Sequence, residues 1–512
     1  LPRVKKFEKK YNQEKIDKYI QSIEAELEEL DYNDPKDKRK IVSREQKISN
    51  IKAGIFTTKK EQELIRPINL GSSVDLPALM YSEEGFHFEV IKNNESGKPS
   101  TDEETLTNLR LTVKKPDSPK AIFLDRLLEL RGLEKMYKTY IEGWNEKVQD
   151  DDRLHGRFLI HGTTSGRLSS AEPNAQQIPK TSVDPNIKLQ LKAPKGTLYI
   201  ASDFSQAELR IMAHLSGDET YLNAFNSGQD PHLAIAATKY HIPYEEALKI
   251  YEDENHPEHK IWKVRRKQAK QIAFGLIYGI GAKLLAVKLS DPKSGIIVTP
   301  EEAQKEMDIF FGQHPKLKTF LKKQEKFLRK NGHLVSLFGR KRRLPQIYSN
   351  DKGEEAYALR LALNFPCQSA ASDMCLFGSI LIYYLMRQGK LPSTKSVCLV
   401  HDANYQITKP ENINIWSIYE MWQIYRNPLT KPYFGFQIDD VTMDMEFVIG
   451  RSMAEELPFI PGYDYKKMLE PDFSVEEYME EHKKYKHIPI SEYKKRFNKQ
   501  MKQYEKDFER TH

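Results

Sequence analysis

Cysteine is scarce in this chain of 512 residues, which contains only three. Their spacing does not match that of a zinc site, and all of them lie in apolar stretches. We therefore expect reduced core residues in an intracellular protein, not the disulfide framework of a small secreted domain. The three are Cys367, Cys375 and Cys398.

Long apolar runs and a leader segment are also missing. The longest apolar stretch, Met374 to Met386, is interrupted by Gly378 and Ser379. Because a membrane-spanning helix needs ~20 apolar residues, this stretch predicts a buried helix and no membrane association. The start, LPRVKKFEKK, has neither an initiator Met nor an apolar signal region. We expect a fragment or processed piece located in a bacterial or host cytoplasm, or in an organelle if an upstream part carried a transit signal.

No strong excess of one charge is present. The 80 Lys and Arg residues against 73 Asp and Glu give a net charge of +7. Acidic residues elsewhere can offset a basic face, so this balance permits a nucleic-acid partner without requiring one. The length allows about three domains, and no internal repeat is visible.

The apolar pattern predicts a helical first part followed by mixed strands and helices. Residues 13–31 and 126–140 carry apolar side chains at helical spacing. Ser100 to Glu103 fits a capping box, and the polar stretch 33–63 predicts a loop or mobile tip. The later predictions are a strand at 197–202, a helix at 206–216, mostly helices over 218–345, a hairpin at 396–408 and a strand pair at 437–450.

Two acidic residues follow apolar strands. Asp203 stands in DFSQAELR, where a strand ends and a helix begins, and Asp402 stands in VCLVHDA at a tight turn. At such positions a carboxylate lies at a sheet edge facing a cleft. Each also has a structural interpretation, because Asp is a favoured N-cap residue and a common turn residue. Taken singly, neither run decides between the two interpretations.

A row of cations and aromatics is more specific. Arg266, Lys270, Phe274 and Tyr278 recur at intervals of four, so a helix places them on one face. A solvated basic face would explain the cations but not the glycines that follow Phe274 and Tyr278, since glycine in a helix costs ~1 kcal/mol relative to alanine. Close packing against the backbone is the expected reason for them. A cationic end suits a triphosphate, and an aromatic end suits a sugar and base.

These runs together resemble the motifs of family A DNA polymerases, the group of bacterial DNA polymerase I and many phage replicases. RRKQAKQIAFGLIYG is similar to the fingers helix of that family, DFSQAELR to its first palm motif and VHDA to its last. Further similar segments are TTSGRLSSAEPNAQQIP at 163–179, DPH at 230–232 and RLALNFPCQSAASD at 360–373. The resemblance covers roughly residues 10–450. The diverged motifs and unusual termini favour a phage or organellar replicase.

The resemblance implies an α+β fold of the right-hand polymerase type, with an antiparallel-sheet palm, helical fingers and a helical thumb. It also implies a DNA-directed DNA polymerase in replication or repair, acting as a monomeric unit on primer–template DNA and dNTPs, with replisome proteins as further partners. The expected parts are a thumb at 1–150, palm segments at 151–217 and 351–462, fingers at 218–350 and a charged C-terminal extension at 463–512 that the resemblance leaves unassigned.

The resemblance further implies two-metal phosphoryl transfer, with two Mg²⁺ ions or substituting Mn²⁺. Asp203, Asp402 and the backbone carbonyl of Phe204 are the expected metal ligands, and Lys270 is the expected proton donor to pyrophosphate. The expected nucleotide contacts are Arg266, Lys270, Phe274, Tyr278, His232, Gln206 and Glu208. The expected DNA contacts are Arg167, Arg360, Asn364, Gln368, His401, Asn174 and Gln176.

The sequence departs from the family at one acidic position. Ala403 stands where the family has Glu after His-Asp, so metal affinity or fidelity is expected to differ. No Asp-x-Glu exonuclease motif in a suitable context is found, which predicts no proofreading in this chain, although an exonuclease upstream stays open. Two alternatives remain: a single-subunit RNA polymerase, against which Glu208 with Phe274 argues, and a non-catalytic DNA-binding relative, suggested by Ala403.

Overall fold

The computed structural model describes residues 2–94, 96–181, 184–290, 297–427 and 430–512. These residues divide into two compact units, one ending at Thr139 and the other beginning at Tyr140. The boundary predicted at residue 150 therefore falls inside the second unit. Each unit has an apolar core of its own.

The first unit is helical, as predicted. Apolar residues of its helices, including Leu76, Phe86 and Leu124, form a buried cluster. The helices are α1 (Pro2–Glu28), α2 (Pro35–Lys52), α3 (Lys59–Gln62), α4 (Asp75–Tyr81), α5 (Glu103–Thr112) and α6 (Pro119–Met136). A π-helical turn, Tyr137–Glu142, and the short α7 (Gly143–Asn145) follow in the chain.

Two local predictions in this unit are wrong. The stretch 33–63 is not a loop, because α2 occupies most of it and buries Ile41, Ile48 and Ile51 against α1. Its start carries a recognisable signal, since Asp34 caps the helix and a proline follows at the first helical position. The helix α5 is capped by Asp102 and not by Ser100, because the Asp102 side chain accepts a hydrogen bond from the Thr105 backbone N–H.

The second unit is built around a five-stranded antiparallel sheet. The order of its strands is β6-β7-β3-β8-β9, so β3 lies in the centre. The strands of the unit are β1 (Arg157–Leu159), β2 (Ser169–Ala171), β3 (Leu198–Phe204), β4 (His333–Val335), β5 (Lys341–Arg343), β6 (Lys395–Val400), β7 (Ala403–Thr408), β8 (Met445–Gly450) and β9 (Leu457–Pro458). The strand at 197–202 and the hairpin at 396–408 are confirmed. The strand pair at 437–450 is wrong, because only β8 lies there and its neighbours are β3 and β9.

Helices cover most of the rest of this unit. The longest, α17 (Lys352–Arg387), packs on α9 (Ala207–Ser216), the helix that follows the central strand. The others are α8 (Pro185–Leu189), α10 (Glu219–Asn226), α11 (Pro231–Lys239), α12 (Tyr244–Glu252), α13 (His259–Ile277), α14 (Ala282–Leu289), α15 (Pro300–Gln313), α16 (Pro315–Asn331), α18 (Ile415–Arg426), α19 (Thr430–Phe434), α20 (Val475–His482), α21 (Tyr493–Arg496) and α22 (Asn498–Thr511). The 206–216 helix and the helical 218–345 region are confirmed.

Among the helices that the structure describes, α17 alone is long and apolar enough to span a membrane by length and composition. Half of its most apolar window is buried inside the protein. Cys367, Ala370 and Met374 on this helix belong to the same core as the central sheet. Packing in that core is sufficient to explain its composition.

The segment predicted as a charged extension, 463–512, packs into the core of the second unit. Its buried side chains are spaced far apart in the sequence and join one cluster with α18 and the sheet. They are Tyr465, Met468, Tyr478, Tyr493 and Met501. Charged residues between them lie on the outside, which is why the sequence indicates only a charged extension.

Candidate active site

The two aspartates selected from the sequence meet at one end of the sheet. Asp203 lies near the end of β3 and is paired with Ala403, the first residue of β7. Asp402 directly precedes Ala403, in the two-residue turn that follows Val400 at the end of β6. Directly opposed residues on antiparallel strands share a face and lie close together. The fold therefore brings together two carboxylates that are far apart in the sequence.

A third carboxylate, Glu446, lies on the other side of Asp203. It is the β8 residue directly opposite Asp203, whereas Ala403 is the opposite residue on β7. An acidic side chain is thus missing on one side of Asp203 and present on the other. Sequence analysis missed Glu446, although the alternation of apolar residues in β8 could have indicated its face.

These carboxylates repel one another. Burial, followed by the charges of Asp402 and Glu446, raises the pKa of Asp203 to about 7. Burial and the nearby Asp444 also raise the pKa of Glu446. No ion pair neutralises Asp203, Asp402 or Glu446 in the part of the chain that the structure describes. The side chain of Asp203 is nevertheless open to water, so a cation can reach it and remove the repulsion.

The donor set fits a hard divalent cation. Carboxylate oxygens are suitable ligands for Mg²⁺, which is usually held by one or two carboxylates, with water and substrate phosphates completing the shell. The described residues contain no group of three or more His, Cys, Asp or Glu side chains arranged to hold a metal by themselves. Asp203 and Asp402 could supply the protein ligands, and Phe204 ends the same strand.

Two residues beside these aspartates have a left-handed backbone. Gln206 has a φ of 59° at the start of α9, and His401 has a φ of 57° in the turn before Asp402. Residues other than glycine rarely adopt this backbone conformation, and such strain tends to occur at functional sites. The side-chain oxygen of Gln206 is also buried and has no hydrogen-bond partner in the described structure.

Arg210, a second residue missed in the sequence, supports the turn after Asp203. Its Nε donates to the Ser205 carbonyl at 2.7 Å, and its Nη1 donates to the Thr442 carbonyl. Burial lowers the pKa of its guanidinium to about 10. These bonds connect the β3–α9 turn to the chain leading into β8, and so fix the backbone that carries Asp203.

The row selected from the sequence lies on α13. The ring of Phe274 stacks on that of Tyr278 at 6.3 Å, and the Lys270 ammonium lies 5.8 Å from the Phe274 ring. Tyr278 is the first residue after the helix, so the row ends where the helix does. Lys270 is exposed, and it makes no ion pair in the described part of the chain.

Packing inside the protein explains why glycine stands at the two positions in this row. A Cβ on Gly275 would lie 2.5 Å from the Ile280 side chain. Gly279 lies after the helix with a φ of 67°, and a Cβ there would lie 3.0 Å from Leu363 on α17. Close packing was expected and is present, but the neighbours are these side chains. Placing Gly279 inside a helix was wrong.

The cationic end of the row meets the start of α11. Arg266 donates to Asp230 through Nε at 3.1 Å and through Nη2 at 2.6 Å. His232 is buried, has no partner for either ring nitrogen within the described residues, and lies 5.7 Å from the Phe274 ring. Burial lowers the pKa of His232 to about 4, so the imidazole is neutral at pH 7. Sequence analysis selected Arg266 and His232 but gave no role to Asp230, which it named only as part of the DPH segment.

Glu208 connects the row to the sheet. It lies on α9 and accepts hydrogen bonds from the Tyr278 hydroxyl at 2.6 Å and from Arg167 Nη2 at 2.5 Å. The side chain of Glu208 is almost completely buried. Three residues selected separately from the sequence thus form one cluster, which places the aromatic end of α13 beside the β3–α9 turn that follows Asp203.

Of the expected DNA contacts, Arg167 bonds to Glu208 and His401 lies in the turn before Asp402. The others fall into two groups. Arg360, Asn364 and Gln368 recur at intervals of four on α17 and share one of its faces. The other group has local roles: the Asn174 side chain accepts a hydrogen bond from the Gln176 backbone N–H, and Gln176 Nε2 donates to the Leu399 carbonyl at 3.0 Å. DNA contact by any of these residues stays a prediction.

Comparison with known proteins identifies relatives. A family model for DNA polymerase family A matches residues 35–415. The chain is 32% identical over 319 residues to the thermostable DNA polymerase I of Thermus aquaticus, covering 62% of this chain and 35% of that protein. It is also 32% identical over 336 residues to DNA polymerase I of Pseudomonas aeruginosa, covering 65% of this chain and 33% of that protein. The chain thus spans about a third of the length of these relatives.

A solved structure has a similar fold. It is the POL domain of Pol1 from M. smegmatis in a complex with DNA primer-template and dNTP, with a TM-score of 0.62 and 28% sequence identity. The similarity covers 76% of this chain and 62% of that chain. It confirms the α+β fold predicted from the sequence.

Proposed function

The chain belongs to DNA polymerase family A, and on that premise we propose that it is a DNA-directed DNA polymerase that extends a primer on a template. The observation that carries the proposal is the cluster around Glu208. Through the Tyr278–Glu208 hydrogen bond, a helix face suited to a nucleotide lies beside the strand end where Asp203 and Asp402 meet. A polymerase needs both features at one place, because phosphoryl transfer depends on positioning and charge neutralisation.

The residues have distinct roles in this proposal. Asp203, Asp402 and the Phe204 carbonyl would hold two Mg²⁺ ions, or Mn²⁺ in their place. When bound, such ions lower the charge on the reacting oxygens and align them for in-line displacement. Lys270, exposed and unpaired in the described structure, would donate a proton to the departing pyrophosphate. Arg266 would bind the triphosphate.

The other nucleotide contacts complete the pocket. Phe274 and Tyr278 would contact the sugar and the base pair, and His232 would donate a hydrogen bond to a phosphate from its neutral ring. Glu208 would lie below the deoxyribose, where it disfavours a 2′-hydroxyl. Gln206, whose buried side-chain oxygen has no partner in the described structure, would support this pocket.

Primer–template DNA and dNTPs are the proposed partners. Arg167, His401 and the α17 face of Arg360, Asn364 and Gln368 would contact DNA, mostly without reading its sequence. We propose a thumb over 1–150, a palm over 151–217 and 351–462, fingers over 218–350, a monomeric unit, an intracellular location, contact with replisome proteins and no proofreading in this chain. The relatives named above are bacterial, so a phage or organellar origin remains a prediction.

Primer extension by the purified chain tests the proposal. We expect template-dependent extension with dNTPs and a divalent cation, and loss of extension in Asp203→Ala and Asp402→Ala. The control is Asp439→Ala, which removes an exposed carboxylate away from these strand ends. Absence of extension by the wild-type chain would contradict the proposal and favour the non-catalytic DNA-binding alternative. Preferential use of rNTPs would favour an RNA polymerase.

A further inference from the structure

We infer that Asp230 competes with the incoming triphosphate for Arg266 and thereby limits how tightly the site binds a nucleotide. This inference rests on the proposed function, since it concerns the same nucleotide site. It adds Asp230, which lies in the DPH segment but was not among the expected nucleotide contacts, where only His232 of that segment was placed.

The carboxylate of Asp230 occupies one complete edge of the Arg266 guanidinium. Both bonds are within hydrogen-bonding distance, at 3.1 Å from Nε to Oδ1 and at 2.6 Å from Nη2 to Oδ2. This two-point arrangement is the one by which arginine also binds a phosphate. A triphosphate that uses the same edge must therefore displace Asp230.

Asp230 also occupies a backbone donor suited to an anion. Its Oδ1 accepts a hydrogen bond from the Leu233 N–H at 2.7 Å, at the N-terminus of α11. A helix N-terminus attracts negative charge, as does a guanidinium. The Asp230 carboxylate thus has the partners that a phosphate group would have. Its charge also repels a highly charged triphosphate near it.

The neighbouring phosphate ligands are free, in contrast to Arg266. His232 has no partner for either ring nitrogen, and Lys270 has no ion pair, within the ranges that the structure describes. The side chains of Asp230 and Arg266 are 25% and 28% exposed, so a ligand can reach the pair from solvent. Of the three residues proposed to bind the triphosphate, Arg266 is the one that is already engaged.

Asp230→Asn removes the charge and keeps the cap. Asn is as good an N-cap residue as Asp, so α11 is expected to remain intact. Because a partly exposed ion pair of this kind contributes modestly, we expect about fivefold tighter binding of the triphosphate. The KM for dNTP should fall by a similar factor, with a smaller effect on kcat.

The test is isothermal titration of the whole chain with inorganic tripolyphosphate and with a dNTP, together with steady-state primer extension. Asp351→Asn is the matched control, since Asp351 caps α17 by the same kind of bond and does not pair with Arg266. The control should bind both ligands as the wild type does. Thermal melting of each variant shows whether the fold is retained.

The outcomes distinguish a failure of the proposed competition from a failure of the proposed function. If the wild-type chain extends primers and Asp230→Asn binds tripolyphosphate no more tightly, competition is refuted while the proposed function stands. Weaker binding in Asp230→Asn would also refute it and would mean that Asp230 orients Arg266 for the nucleotide. A wild-type chain that neither extends primers nor binds dNTP would refute the proposed function itself.

Discussion

Replacing Asp203 with Asn is expected to stabilise the folded protein when no divalent cation is present, although the same change should abolish primer extension. The reasons are, first, the burial of the Asp203 carboxylate and, second, the nearby charges of Asp402 and Glu446. The pKa of Asp203 is raised from 3.8 to about 7, with burial as the first cause and the charges of Asp402 and Glu446 next. A raised pKa means that the folded state holds the ionised form less well than the unfolded state does.

The size of the effect follows from this shift and from solvent access. In a fully buried site, a shift of this size would correspond to ~4 kcal/mol. Because the Asp203 side chain is open to water, screening reduces the expected gain in the free energy of unfolding to about 1 kcal/mol. For a unit of this size, that gain raises the melting temperature by about 2 °C.

The pH dependence has a defined sign. Protonation of Asp203 contributes to the free energy of unfolding. This contribution is fully present below pH about 4 and is lost as the pH rises through about 7. The difference between Asp203→Asn and the wild type should therefore be larger at pH 8 than at pH 5. Added Mg²⁺ should stabilise the wild type more than the variant, because the cation relieves the repulsion only where the carboxylate remains.

Thermal melting in EDTA and in Mg²⁺, at both pH values, measures these differences. Asp439→Asn is the control, since it removes an exposed carboxylate of the same unit outside the strand ends. The reasoning fails if Asp203→Asn melts below the wild type in EDTA at pH 8. It fails equally if the difference between the two proteins is the same at pH 5 and at pH 8.

Four further changes have expected outcomes. Glu446→Gln should weaken Mn²⁺ binding several-fold in a titration, because it removes a carboxylate opposite Asp203. Lys270→Ala should slow the chemical step in single-turnover kinetics by about a hundredfold, because a general acid is lost. Phe274→Tyr should raise dideoxynucleotide incorporation in a termination assay, because the added hydroxyl can replace a hydrogen bond that the missing 3′-hydroxyl would make. Asp218→Ala should lower the free energy of unfolding in urea by about 3 kcal/mol, because it removes the hydrogen-bond partner of the buried His314 Nδ1 and the cap of α10.

For each of these four predictions, one result would contradict the reasoning. Unchanged Mn²⁺ affinity in Glu446→Gln would mean that this side chain does not reach the cation. A wild-type chemical rate in Lys270→Ala would remove its proposed role as proton donor. No gain in chain termination by Phe274→Tyr would argue against the placement of Phe274 at the sugar. A urea midpoint close to that of the wild type in Asp218→Ala would show that the pair with His314 adds little stability.

Local patterns in the sequence were sufficient for the central strand, the hairpin and the row on α13. Strand β3 and the β6–β7 hairpin are apolar and end at residues that favour turns, so their positions depend on neighbouring residues alone. The row on α13 follows from the helical repeat in the same way. For these elements, the physical cause is local and the sequence displays it.

Where local signals were weak, the predictions from the sequence did not identify the folded elements. Helix α2 buries only three isoleucines along eighteen residues, so its apolar stripe is too sparse to see before α1 packs on it. The final fifty residues were predicted only as a charged extension, because their buried tyrosines are far apart in the chain. In both cases the helices are stabilised by surfaces that exist only after folding.

The sequence alone determined which acidic, basic and aromatic side chains were available, and the resemblance to a family gave them expected roles. Only the tertiary structure decided which of them meet. Strand pairing placed Glu446 across from Asp203, and helix packing set Asp230 against Arg266 and Tyr278 against Glu208. Contacts between residues distant in the chain depend on how strands and helices pack, and no local pattern encodes such a pairing.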